Sequence, residues 1–229
     1  MAVGQAAPLP PEGSTRPVVT APTRRLARAF YRRPSLEVAP DLLGRHLVRR
    51  LPDGRVLTVR IVETEAYRED DPASHSFRGR TPRTVVMFGP PGRLYVYFTY
   101  GMHFCMNVVT GPDGEGSAVL LRAAEPLSGI DEMARRRGLE APGLLCSGPA
   151  RLCQAVGVDR SLNGTDLVRG GDVWLVEGTP VPPSLVGRGP RVGIRVGVER
   201  RWRFFVLDDP YVSRPRPLGP ARVRGSRRS

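Results

Sequence analysis

The sequence predicts an α+β fold: a single compact domain on an antiparallel β-sheet with helices around it. Three observations carry this. Apolar, β-branched runs and a few helical patterns follow one another in mixed order, without the regular strand–helix alternation of a parallel sheet. The step Pro52-Asp53-Gly54-Arg55 joins two strand-like runs, 46–51 and 56–64, by a strong antiparallel turn signal. The run from Leu94 to Asn107 reads as two apolar strands folded about Gly101. At 229 residues, and with no repeat at a fixed period, the chain has the length for one sizeable core.

Taken in order, residues 1–23 are rich in Pro, Ala, Gly and Thr without hydrophobic periodicity, and a disordered tail is expected. Residues 24–33 predict a short basic helix with Phe30 and Tyr31 as packing residues, and 36–43 a second helix ended by Gly44. The strand after the Asp-Gly turn continues through Ile61-Val62-Glu63-Thr64-Glu65-Ala66-Tyr67, where alternation puts Glu63 and Glu65 on one face. A polar connection carrying Asp70, Asp71, His75 and several arginines then leads to a turn at 87–92.

Beyond the loop at 111–116, residues 118–123 predict a buried strand, and 131–137, within 127–138, a helix. Another helix is expected from Ser147-Gly148-Pro149 to about Val156, with Ser147 capping the free amides and Pro149 in the first turn. So amide-rich a start equally suits a phosphate. Strands are predicted at 173–176, 192–198 and 204–207. From Arg214 on, six arginines among Pro, Gly and Ser predict a disordered cationic tail, which leaves 24–213 as the folded domain.

The chain has 35 basic against 22 acidic residues, a formal net charge of +13, and every Lys or Arg is Arg. Such a surface attracts polyanions, and the planar guanidinium fork suits phosphate oxygens and guanine edges. A coding bias toward GC accounts equally well for Arg in place of Lys, but not for the net charge. Cys105, Cys146 and Cys153 show no close pairing. An odd number without a signal peptide predicts reduced thiols in the cytoplasm, with Cys105 and Cys153 as core residues. With only His46, His75 and His103 to join them, no metal site and no cofactor is expected. No apolar run approaches the roughly 20 residues needed to cross a bilayer, so no membrane partner is expected.

Several ungapped blocks occur together: 63–67, His75-Ser76, Thr81-Pro82-Arg83, 95–107, Val119-Leu120-Leu121-Arg122-Ala123 and Leu145-Cys146-Ser147-Gly148-Pro149. On these the chain closely resembles the 3-methyladenine (alkyladenine) DNA glycosylases, over roughly residues 26–213. The resemblance implies one compact domain with a protruding hairpin that intercalates into DNA. It also implies an enzyme that extrudes a damaged purine and hydrolyses its N-glycosidic bond: 3-methyladenine, with 7-methylguanine, hypoxanthine or ethenoadenine as further candidates. The expected partner is double-stranded DNA carrying such a base, and a monomer is expected.

That hydrolysis needs a base to activate water, and a carboxylate on a rigid strand supplies one. Glu65 matches the family's catalytic base; from the residues alone it reads more readily as a solvated strand glutamate, which is what most Glu residues are. Glu63 does not complete a pair of opposed carboxylates. Residues i and i+2 on a strand lie about 6.5–7 Å apart and point the same way, so Glu63 reads as structural or as a support for arginines. Tyr67, His75 and Tyr97 match the residues that enclose the extruded base, although either tyrosine taken singly equally suits a core.

Tyr100 matches the intercalating residue, with Met102 grouped as a further DNA contact; the alternative is a Tyr100 ring packed back on the hairpin. Asn107 and Arg122 match positions lining the pocket and the bound water. Asn107 either rejects guanine at its exocyclic amine or caps its strand, while Arg122 orients the scissile phosphate and Glu65. Arg78, Arg80 and Arg83 are expected backbone contacts. The absence of lysine removes the usual Schiff-base nucleophile and predicts a monofunctional, water-using enzyme. The competing classes are a nucleic-acid-binding module without catalysis and a domain of the same general fold at the RNA-binding end of a formyl-transfer enzyme. Neither needs Glu65.

Overall fold

The architecture is set by one long strand. In the computed structural model, which describes residues 24–99 and 101–213, β2 runs through twelve residues, Val56–Tyr67, and pairs with three neighbours. On one side it meets β1 (His46–Arg50) along 56–60 and then β8 (Arg203–Val206) along 63–65. On the other it meets β5 (Ala118–Ser128) along most of its length. The β2–β5 register is irregular from Ile61 to Thr64, where β1 ends and β8 takes over. Such bulges bend a strand and re-aim its side chains, and this one curls the sheet at Glu63 and Glu65.

The sheet has eight strands, in the order β3-β4-β5-β2-β1-β6, with β7 and β8 attached beside β2, and every pairing is antiparallel. Strands β3 (Leu94–Thr99) and β4 (His103–Val109) pair from Leu94↔Val108 to Thr99↔His103. At the opposite edge stands β6 (Val173–Val176). Tyr100 and both expected tails, 1–23 and 214–229, lie outside the described residues.

Among the described residues five short helices support the sheet: α1 (Arg28–Tyr31), α2 (Ser35–Asp41), α3 (Ile130–Arg137), α4 (Pro142–Leu145) and α5 (Pro149–Val156). Of these, α5 packs on β4 and β5, α2 on β2, and α3 on α5. Ile61, Leu121, Met106, Met133 and Leu152 are fully buried in the shared core. Each such side chain contributes about 1.5–3 kcal/mol by burial. No helix among the described residues is long and apolar enough to cross a membrane.

Several elements differ from expectation. The helix over 24–33 is one turn, because Arg25 and Leu26 instead pair with the open edge of β6. The turn expected at 87–92 begins inside a 3-10 turn, Val85–Phe88, and β5 extends past 123 because β2 offers it a ladder as far as Thr58↔Ser128. Ser147 is not the cap of α5: Gly148 takes that place, while Ser147 bridges Ala123 and its hydroxyl accepts from Arg151 Nη1 at 3.0 Å. Residues 192–198 are no strand. Gly193 (φ +80°) and Gly197 (φ +62°) are left-handed and break the extension that Val and Ile suggested. The strand in this region is β7 (Val186–Gly189), whose two glycines concealed it.

Candidate active site

Register aligns one residue from each of five strands: Tyr95 on β3, Asn107 on β4, Leu120 on β5, Glu65 on β2 and Arg203 on β8. Above this row opens a cleft of about 520 Å³, lined by Tyr67, His75, Tyr95, Tyr97, Cys105, Asn107, Leu120, Arg122 and residues 192–196. Period-two alternation brings Tyr95 and Tyr97 to the same face of β3. Cys105, read from sequence as core, stands opposite Tyr97 in register and lines the cleft, although it is nearly inaccessible.

Glu65 is wholly buried behind this lining. Its Oε1 accepts from the Val192 backbone N–H at 2.7 Å and lies 3.3 Å from Arg122 Nη1; its Oε2 accepts from the Tyr67 hydroxyl at 2.8 Å. All three donors belong to cleft residues. Oε1 thus faces two groups and Oε2 one. Burial pushes the Glu65 carboxyl above its ordinary range, against the pull of Arg122, the Val192 N–H and the Tyr67 hydroxyl.

Glu63, on the same face, is held differently. It accepts from Arg122 Nε at 3.0 Å, Arg203 Nε at 2.6 Å and the Ser213 backbone N–H at 2.8 Å. Two of its three donors are guanidinium groups, and only Arg122 among the three lines the cleft, so it anchors the arginines around its neighbour. Arg122 is committed as well, with Nη2 reaching Ser213 Oγ at 3.4 Å.

The aromatic wall is assembled from β3 and the connection after β2. His75 Nδ1 lies 3.1 Å from the Tyr95 hydroxyl, and its ring meets Tyr97 edge-on at 4.5 Å. Tyr95 and Tyr97 stack at 5.7 Å. Desolvation against these rings, helped by the nearby Arg83 charge, lowers the His75 pKa to about 4, so the imidazole is neutral at physiological pH. Burial raises the pKa of both Tyr67 and Tyr97, and each stays a phenol. The Asn107 amide is steered by its Nδ2, which donates to the Tyr95 carbonyl at 3.4 Å.

Thus Glu65, Arg122, Tyr67, His75, Tyr97 and Asn107 converge on one cleft. The other sequence-predicted residues lie elsewhere: Met102 is 71% exposed in the turn after β3, and Arg78 is exposed in the connection. Arg80 lies over Phe88, and Arg83 over Tyr97. Sequence reasoning missed Tyr95, which its spacing from Tyr97 would have revealed. It also missed the Val192 amide, for which no side-chain signal exists, and the roles of Arg203 and Ser213.

Comparison with known proteins bears on this geometry. The family model for methylpurine-DNA glycosylase matches residues 29–210. A protein of Streptomyces avermitilis is 53% identical over 214 residues, covering 90% of this chain and all of the relative. One from Chlorobaculum parvum is 47% identical over 205 residues, covering 89% and 98%. A third, from Carboxydothermus hydrogenoformans, is 49% identical over 189 residues, covering 82% and 98%. All three are provisionally named 3-methyladenine DNA glycosylase. Likeness of this extent spans every strand that builds the cleft, and the chain belongs to the methylpurine-DNA glycosylase family.

Proposed function

We propose that this protein is a monofunctional DNA glycosylase that turns a damaged purine, 3-methyladenine or a relative, out of duplex DNA. It then hydrolyses the N-glycosidic bond with a water activated by Glu65, which opens base excision repair. The observation that carries the proposal is a buried carboxylate whose three partners all line a cleft walled by aromatic rings.

In this reading the extruded base stacks against Tyr67, Tyr97 and His75, whose π-faces suit the electron-poor ring of an alkylated purine. Asn107 stands two strands from Glu65, about 10 Å at ordinary strand spacing, and meets the base edge where guanine would present its amine. Glu65 Oε2 takes the proton of a water placed below the anomeric carbon, and the raised pKa gives the carboxylate more basicity than a solvated one has. A base that already carries positive charge leaves as a neutral molecule, so no second carboxyl acid is needed and Glu63 is free to anchor. Arg122, with Nε, Nη1 and Nη2 all engaged inside the protein, orients Glu65 rather than the scissile phosphate.

On the DNA side, Tyr100 is assigned as the wedge that fills the vacated stack, with Met102 beside it and Arg78, Arg80 and Arg83 toward the backbone. The enzyme works as a monomer, with residues 24–213 as its catalytic domain. Incubation with a duplex carrying 3-methyladenine tests the proposal. Release of the free base, with strands that break only after alkali, is the expected result. Binding without release would make the chain a non-catalytic module, and strand cleavage during release would refute the monofunctional mechanism.

A further inference from the structure

We propose that the buried Asp71–Arg191 pair is a positioning device for the reaction: it fixes the 191–197 loop so that the Val192 N–H stays on Glu65. The inference rests on the reading of Glu65 as the general base.

The two residues come from opposite ends of the domain, Asp71 from the connection after β2 and Arg191 from the loop between β7 and β8, and neither lines the cleft. Both side chains are wholly inaccessible. Arg191 Nη2 donates to Asp71 Oδ1 at 3.0 Å while Nη1 donates to Asp71 Oδ2, so the two groups meet fork to fork. Nη1 also donates to the Ala66 carbonyl at 3.1 Å, and Nη2 reaches the Gly197 carbonyl at 3.4 Å. The guanidinium plane is held between Tyr67, at 4.7 Å, and Trp202, at 5.2 Å.

One side chain therefore ties both ends of the loop to the β2 backbone beside Glu65, and to the ring whose hydroxyl bonds Glu65. The next residue along, Val192, supplies the amide to Glu65 Oε1. Left-handed Gly193 and Gly197 would otherwise leave this segment free to move.

Packing alone does not account for the pair. Apolar residues of similar volume often replace a buried ion pair without loss, and here Arg191 Nε finds no acceptor among the described residues. What apolar side chains lack is a rigid fork with several directed donors. The pair fixes a backbone amide, and that amide holds the base.

The groups that face Glu65 are Arg122 from β5, Glu63 and Tyr67 from β2, Tyr97 from β3, Cys105 from β4 and Arg191 itself. Loosening the loop weakens the Val192 contact, which lowers the Glu65 pKa, and leaves the groups on the strands in place. With the strands keeping Glu65 buried, the acidic limb of the excision rate, where Glu65 gains its proton, then moves to higher pH. A residue that only stabilises the fold would not move it.

The test compares wild type, the double variant Asp71→Leu/Arg191→Met and Arg191→Lys. It measures single-turnover excision against pH at saturating enzyme, together with affinity for duplex carrying the damaged base. The double variant replaces both charges with apolar groups and is expected to fold. Arg191→Lys keeps the cation but loses the fork, and it carries the test if the double variant unfolds. We expect a fall of about ten-fold in rate, an acidic limb displaced upward in pH, and affinity within about two-fold of wild type. A limb that stays in place in folded variants overturns the proposal, whatever the rate. Failure of the parent reading shows separately, as a Glu65→Gln enzyme that excises at the wild-type rate.

Discussion

Two glutamates of this protein are nearly inaccessible and have arginines around them, yet their acidities are tuned in opposite directions. Glu132, in the first turn of α3, is only 5% exposed and accepts from Arg135, Arg136 and Arg55 at 2.7–2.9 Å. Two of those arginines stand in water, with side chains 55% exposed at Arg55 and 68% at Arg135, while Arg136 is mostly covered. Hydrogen bonds from Arg135, then from Arg55 and Arg136, outweigh desolvation and bring the carboxyl down to about 2. Glu65 is wholly buried, and its single arginine is shared with Glu63 and is itself buried. There desolvation wins, and the carboxyl is raised. Glu132 takes hydrogen bonds from three guanidinium groups and Glu65 has Arg122 at 3.3 Å, so guanidinium donors set the direction at the first and withdrawal from water sets it at the second. Glu132 joins elements together; Glu65 is held ready to take a proton.

The sharpest way to break this comparison is Glu65→Gln. Excision is expected to fall by roughly 100-fold or more, the range for a positioned base, with affinity for damaged duplex within a few-fold of wild type. Its stability should move the other way. Because the folded pKa of Glu65 is raised, the ionised carboxylate costs stability above its unfolded value, and that cost fades as pH falls toward the ordinary carboxylate range. The variant should therefore melt no lower than wild type at pH 7, with any advantage lost near pH 4.5. A variant that excises normally but melts earlier would make Glu65 another Glu132.

Asn107→Ala separates recognition from chemistry within the same cleft. We expect release of undamaged guanine to rise by about ten-fold, in the range for removing one discriminating contact. Excision of 3-methyladenine should stay within about three-fold. Counting bases released from undamaged and methylated duplex decides this, and equal losses on both would assign Asn107 to the fold.

Glu132→Gln tests the other member. Excision per folded molecule should not change, while the melting temperature at pH 7 falls by about a few degrees. Since the Glu132 pKa is depressed, its contribution is present above about 4.5 and is lost as pH falls toward about 2. Wild type and variant should therefore converge across that window in thermal melts. The smallest effect is expected from ending the chain at Ser213. Removing the six arginines beyond it should flatten the dependence of binding on salt and leave excision at saturating enzyme within about two-fold. Loss of excision at saturation would place that segment in the site.

The sequence by itself determined the antiparallel α+β class, through the Asp-Gly turn between β1 and β2 and the apolar runs on either side of Gly101. It also put Glu63 and Glu65 on one face of β2, because side-chain alternation is a local property of an extended backbone. The family was legible for a related reason, since the residues carrying the likeness fall in short blocks on β2 to β5 and ahead of α5. The sequence misled at 192–198, where Val and Ile alternate as in a strand but left-handed glycines make a loop. Only the tertiary structure separated Glu63 from Glu65. The two are equivalent in the pattern, and they differ through Arg203 and Ser213 on one and the Val192 amide on the other, partners 127 to 150 residues away in the chain. Desolvation and hydrogen bonding at a carboxylate are sums over whatever the fold brings near it. Spacing along one strand therefore names two candidates, and neighbours from β8 and the loops around it decide which one is held by cleft residues alone.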